Sequence, residues 1–237
     1  MPAPLTTNDR PQWFKKHGYY TAGCGKIFHP GDPADFDPPS WTGNAYGGYY
    51  GQDNCAKGCQ PAGYNKTSHG CPIDPAICSN HTFPDVEALA QGKADLATAA
   101  AAQEAQPFWI GVGFVKPHMP HVFPAEYLDM VPPNEDIVLA KHQLPPTGVA
   151  AAMDWHSGAG ANGPAGVLAQ PAAPWTQRDW RQNYYAAAAF SDDLFGQLLA
   201  ELDVHGFTDN TLVIMTADHG WCVALRNGRH AYAHRST

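Results

Sequence analysis

The sequence predicts an α/β fold built on a mainly parallel central sheet. Three short apolar runs carry that expectation: Tyr19–Cys24, Phe108–Val115 and Thr211–Thr216. Stretches with helical spacing separate them, and a strand, helix, strand order of this kind closes as parallel crossovers. The last run is mostly β-branched or aliphatic, with Asp209-Asn210 before it and Gly220 after it, so it reads as a buried strand followed by a turn. Ionisable side chains follow each run, at the edge of an open α/β sheet where ligands bind.

The elements follow in order. Pro11–Gly18 has the pattern of a helix end, with Trp13 and Phe14 expected inside and Gly18 as the stop. Tyr19–Cys24 is the first strand, and Gly25 opens the turn after it. A loop rich in Gly, Tyr and Asp then runs from Phe36 to His81, and its Trp41–Tyr50 stretch reads equally as aromatic faces on which a sugar ring could pack and as a structural lid. Pro84–Gln103 predicts a helix with Val86, Leu89, Ala90 and Leu96 on one side. Phe108–Val115 is the second strand, and Ala125–Met130 a short helix. Residues 145–176 form a Pro/Ala/Gly-rich connection. Arg181–Leu202 has the strongest helical spacing, through Tyr184, Tyr185, Ala188, Phe195, Leu198, Leu199 and Leu202, and His205-Gly206 ends it.

Composition narrows the class. A chain of 237 residues, 44% apolar and 11% aromatic, is long enough to bury a sizeable core. Only 15% of the residues are charged and the formal net charge is −8, so no basic stripe exists to neutralise a nucleic acid. No apolar run approaches the roughly 18 residues of a membrane span. Met1–Arg10 lacks the apolar core of a signal peptide. The cysteines point the other way: Cys55, Cys59, Cys71 and Cys78 cluster in a loop that also holds Asn65-Lys-Thr and Asn80-His-Thr, both glycosylation acceptors. Their spacing lacks the short paired repeat of a zinc ribbon, which favours disulfides, and together these signals predict a glycoprotein in a secreted or lysosomal, extracytoplasmic setting.

If the three strands are parallel, their ends gather Lys26 and His29, Lys116 and His118, and Asp218 and His219 on one edge. Lysines and imidazoles there form a positive pocket in an acidic protein, suited to a phosphate or sulfate group. Asp218 is a hard oxygen ligand for a divalent cation, although one carboxylate does not hold such an ion by itself. Asp192-Asp193 sits on a helix and reads as a solvated face; His121 reads as flanking a turn, and His69, His81 and His156 as loop residues.

The segment Gly18–Gly31, with Gly25-Lys26-Ile-Phe-His29-Pro-Gly, resembles the Gly-Lys-x-x-His-Pro-Gly segment of the sulfatases, which belong to the alkaline-phosphatase superfamily. Phe108–Pro120 resembles the strand end Gly-x-x-Lys-Pro-His-x-Pro of their iduronate 2-sulfatase branch. Arg181–Trp221, including Asp218-His219-Gly220-Trp221, is similar to the helix, strand and metal segment of that branch, as is Cys71-Pro-Ile-Asp74. The resemblance runs colinearly over about residues 11–221 and identifies residues 1–237 as a partial sulfatase catalytic domain. It implies an alkaline-phosphatase-like sandwich lacking N-terminal and C-terminal parts. It also implies a sulfuric ester hydrolase acting on a sulfated sugar or related alcohol, with one calcium ion and a formylglycine nucleophile made from cysteine. Lys26 and His29 would hold nucleophile and sulfate, Lys116 would bind substrate, His118 would contact sulfate or protonate the leaving alcohol, and Asp218 and His219 would be metal ligands.

The family places its nucleophile in Cys-x-Pro-Ser-Arg, and none of the six cysteines here is followed by x-Pro-x-Arg; the formylglycine is expected only in a missing N-terminal part. Residues 222–237 depart from the family pattern. The sequence therefore leaves open a sulfatase read as an inactive fragment, a metal-dependent phosphatase or phosphodiesterase of the same superfamily, and a non-catalytic sulfatase-like module.

Overall fold

The computed structural model describes residues 10–28, 37–42, 70–74, 83–102, 106–118, 120–139, 141, 153–154, 174–218, 220–221 and 232–233. In chain order the helices and strands are α1 (Arg10–Lys16), β1 (Tyr20–Gly25), β2 (Gly70–Ile73), α2 (Pro84–Ala101), β3 (Phe108–Gly113), β4 (His121–Pro124), β5 (Met153–Asp154), α3 (Pro174–Val204), β6 (Gly220–Trp221) and β7 (Tyr232–Ala233). Residues Ala125–Met130 form a 3-10 helix where a short helix is expected. The chain divides into two compact units.

The first unit comprises Met1–Asn54, Asn80–Lys116 and Ser191–Thr211. Here β1 and β3 pair in parallel from Tyr20↔Phe108 to Gly25↔Gly113. Helix α2, whose sequence lies between them, packs on both strands, which is the crossover the sequence predicts. It presents Ala88, Leu89, Gly92, Asp95, Leu96 and Ala99 inward, a stripe at three- and four-residue spacing. Ala90, expected on that face, is exposed because it lies outside the stripe. Leu96 and Ala99 meet Leu202 and Phe207, with Tyr20, Phe108, Ile110, Leu198 and Leu199 around them. Burial of each large apolar side chain in such a cluster contributes about 1.5–3 kcal/mol.

Cys24 lies fully inside, its thiol donating to the Ala88 carbonyl at 3.3 Å. Burial, and then the nearby Asp95 charge, push that thiol up to about 12, so it stays protonated and unreactive. Trp41 is 2% exposed and stacks toward Trp109 at 6.0 Å, over Gly23. It is core, not a platform for a sugar; residues 43–50 lie outside the described residues. Trp13 corrects another expectation: it is 49% exposed and stacks on His17 at 3.9 Å, while Phe14 turns toward Tyr19 and Trp109.

The second unit comprises Cys55–Ser79, Pro117–Phe190 and Leu212–Thr237. Strands β2 and β4 pair in parallel from Gly70↔His121 to Ile73↔Pro124. All of β4 is buried, and His121 is 0% exposed, edge-on to Trp180 and Tyr184 at 5.9 and 5.7 Å. It is thus a core residue of a strand and not the flank of a turn. Cys71, on β2, is disulfide-bonded. The first part of α3 starts at Pro174, earlier than the spacing from Arg181 suggests. Its Arg178, Arg181 and Gln182 side chains donate to the carbonyls of Ile137, Val138 and Pro132. Short strands β5, β7 and β6 form an antiparallel sheet.

One expected strand is absent. Residues 211–217 carry no helix or strand, and Leu212, Val213, Ile214 and Met215 are 83%, 44%, 71% and 73% exposed. Their apolar character suits a buried strand, but among the described residues no strand pairs with them, so the third parallel strand of the expected sheet does not form here.

Candidate active site

Because β1 and β3 run in parallel, their carboxyl ends lie side by side. The last paired residues are Gly25 and Gly113. Gly25 has φ of 69°, a left-handed conformation that side chains resist, and a Cβ on it would overlap the Gly113 carbonyl oxygen. A Cβ on Gly113 would in turn overlap the Lys26 backbone. The two bare backbones let the Lys26 N–H donate to the Gly113 carbonyl at 2.7 Å, which extends the ladder one step into the turn.

Beyond β3 the chain turns through Val115 and Lys116. Their N–H groups donate to the two carboxylate oxygens of Asp85, at 2.6 and 3.0 Å. The Lys116 carbonyl accepts from the Ser191 hydroxyl of α3 at 2.8 Å. Asp85 follows Pro84 in the first turn of α2, where the helix N-terminus favours a negative charge. It is 1% exposed. Burial pushes its carboxyl up; the two N–H groups and the ammonium groups of Lys116 and Lys26 pull the other way.

Of the residues the sequence singled out, Lys26 is half-buried in the turn after β1, and Lys116 is buried at 6% exposure in the turn after β3. Both lie in the first unit, in the turns that follow the paired strands β1 and β3, and the charges of both favour the ionised form of Asp85. His118, half-buried in a bend after Pro117, and Asp218, exposed in a bend after residue 217, belong to the second unit. His29 and His219 lie outside the described residues, as do His69, His81 and His156. Asp192 and Asp193 are exposed on α3, the solvated face expected of them. Among the described residues no three His, Cys, Asp or Glu side chains stand close enough to hold a metal ion. Asp218 alone does not make a calcium site.

The residue that sequence reasoning missed is Asp85. A Pro-Asp pair opening a helix is its only sequence signal, and that signal is common to many helices. Its partners at Val115 and Lys116 stand a whole helix and strand further along the chain.

A family model described as sulfatase matches residues 3–236 of the chain. Iduronate 2-sulfatase of Homo sapiens is 32% identical over 225 residues, covering 90% of this chain and 40% of that protein. A sulfatase of Formosa agariphila is 25% identical over 232 residues, covering 89% of this chain and 41% of the other. Among solved structures, a phosphonate monoester hydrolase from Silicibacter pomeroyi aligns at a TM-score of 0.44 and 19% identity, over 75% of this chain and 38% of that one. The chain thus spans about 40% of the length of these curated relatives.

Proposed function

The chain belongs to the sulfatase family, and from that premise we propose that its strand-end site serves a sulfuric ester hydrolase acting on a sulfated sugar or related alcohol. The observation that carries this reading is that the parallel strands β1 and β3 end side by side in turns bearing Lys26 and Lys116, the second turn held by buried Asp85. Two fixed cations at that edge stabilise an anionic ester and the charge that develops as it is cleaved.

In this reading Lys26 orients a sulfate oxygen from the turn after β1, with His29 beside it in sequence. Lys116, being buried, acts through its charge more than by gripping the substrate. By the family resemblance, His118 would contact a sulfate oxygen or protonate the leaving alcohol oxygen. Asp218 and His219 would supply ligands to a calcium ion, together with ligands from other residues. The family's formylglycine would supply the attacking oxygen. No cysteine here has x-Pro-x-Arg after it, and Cys222-Val-Ala-Leu-Arg226 keeps that spacing with Ala in the Pro position. The Cys71 disulfide supports an extracytoplasmic setting, where such bonds persist.

The 237-residue chain is accordingly expected to be inactive. Loss of a nucleophile and of a metal removes covalent catalysis and charge stabilisation, each worth on the order of a hundredfold or more. An aryl sulfate assay with calcium, run on this chain and on any longer product of the same gene with confirmed formylglycine, tests both halves. Turnover by the short chain, or peptide mapping that finds an aldehyde at Cys222, overturns the first. Silence from the longer protein on several sulfated sugars overturns the second, and preference for a phosphate ester favours a phosphatase instead.

A further inference from the structure

The turn after β3 is fastened by side chains from two other elements. Asp85 of α2 takes the N–H groups of Val115 and Lys116, and Ser191 of α3 donates to the Lys116 carbonyl. Both Asp85 and Lys116 are buried. A carboxylate this deep is tolerated only where donors and cations surround it, and Lys116 and Lys26 both favour its charged form. The relation is reciprocal, since a buried ammonium sheds its proton unless an anion faces it.

We propose that Asp85 is the positioning residue for Lys116: one buried side chain holds the backbone of the turn that bears Lys116 and supplies the negative charge at the end of the two paired strands that carry Lys116 and Lys26. It acts through the lysines and not on the ester. Ser191 pins the carbonyl of the same residue without any charge, and so provides an internal control. The proposal rests on the reading that these lysines serve an anionic ester, but its central claim is measurable without turnover.

The 237-residue chain labelled with 13C at lysine Cε is titrated by NMR, with the Lys116 signal identified by its loss in Lys116→Arg. In the wild type Lys116 is expected to stay charged as far up in pH as the exposed lysines do. Deprotonation well below them overturns the proposal without any variant. In Asp85→Asn, which keeps the shape and removes the charge, Lys116 is expected to lose its proton at lower pH than in the wild type. Ser191→Ala is expected to lower the melting temperature and leave that titration in place. Asp85→Glu should return the titration toward the wild type. Equal Lys116 titration in wild type and folded Asp85→Asn overturns the idea, as does an equal shift in Ser191→Ala. If Asp85→Asn does not fold, the wild-type curve and Asp85→Glu decide. Where the longer protein turns over a sulfate ester, kcat/KM of its Asp85→Asn variant should fall about tenfold or more. A wild type that turns over nothing counts against the proposed function, while the lysine titration judges Asp85 separately.

Discussion

Strand β3 and residues 211–217 have much the same sequence character: an apolar run that ends in a turn with ionisable side chains. Their surroundings are opposite. Phe108–Gly113 runs in register with β1, lies under α2, and delivers Lys116 into a buried, hydrogen-bonded turn. The Leu212–Met215 side chains face solvent, and Asp218 at the end is exposed as well. Apolarity gives a segment the capacity to be a strand, but only a neighbour's backbone and a covering helix make it one. A residue at the strand end inherits that difference, since the Lys116 backbone is held by two elements besides its own strand.

The largest expected effect lies at the ordered end. Asp85→Ala would leave the Val115 and Lys116 N–H groups buried and the lysines without their anion, a loss of roughly 3–5 kcal/mol. Urea denaturation measures it, and a loss under about 1 kcal/mol would mean that water already reaches this turn. Next, Leu96→Ala in the α2 core should lower stability by about 2–5 kcal/mol in the same measurement.

A pH titration sharpens the picture of what α2 covers. Asp95 is 4% exposed, with one oxygen accepting from Gln91 at 2.9 Å, and burial raises its carboxyl from 3.8 to about 6. The folded state therefore favours the protonated acid. Its contribution is fully present below pH 3.8 and is lost as pH rises through about 6. The loss is on the order of 3 kcal/mol, and Asp95→Asn should flatten this part of the stability profile. A slope that persists in Asp95→Asn would assign it to another group. The smallest effect belongs to the exposed segment: Ile214→Ala should change stability by less than about 0.5 kcal/mol. A loss comparable to that of Leu96→Ala would show that residues 211–217 are covered in solution, and the contrast with β3 would collapse.

Local pattern made β1, α2, β3 and α3 legible, because each carries its own periodicity and its own stop. Gly18 and Gly206 both sit at positive φ, 87° and 70°, where the sequence places helix ends. That the turns bearing Lys26 and Lys116 follow neighbouring strands was legible too, since β1 and β3 pair in parallel. What was not legible depends on partners distant in sequence. Trp41 reads as a surface aromatic until Trp109 and Gly23 are beneath it, and His121 as a turn residue until β2 and α3 enclose it. Asp85 looks like an ordinary first-turn acid until the β3 turn closes on it. The run from Thr211 misleads in the opposite sense, because its sequence is right for a strand and its setting is not.

The Gly25–Gly113 contact also bears on how the chain folds. A parallel pair brings together segments remote in sequence, a slow search in which misaligned pairings compete with the native one. Sliding β3 by a single residue would set Val112 or Phe114 opposite Gly25, and would turn every strand side chain to the wrong face. With no room for a Cβ where the strand ends meet, such misalignments are rejected sterically at the moment they form. The two glycines thus act as a proofreading key for strand alignment, and Gly113→Ala should slow refolding even where the final structure tolerates it.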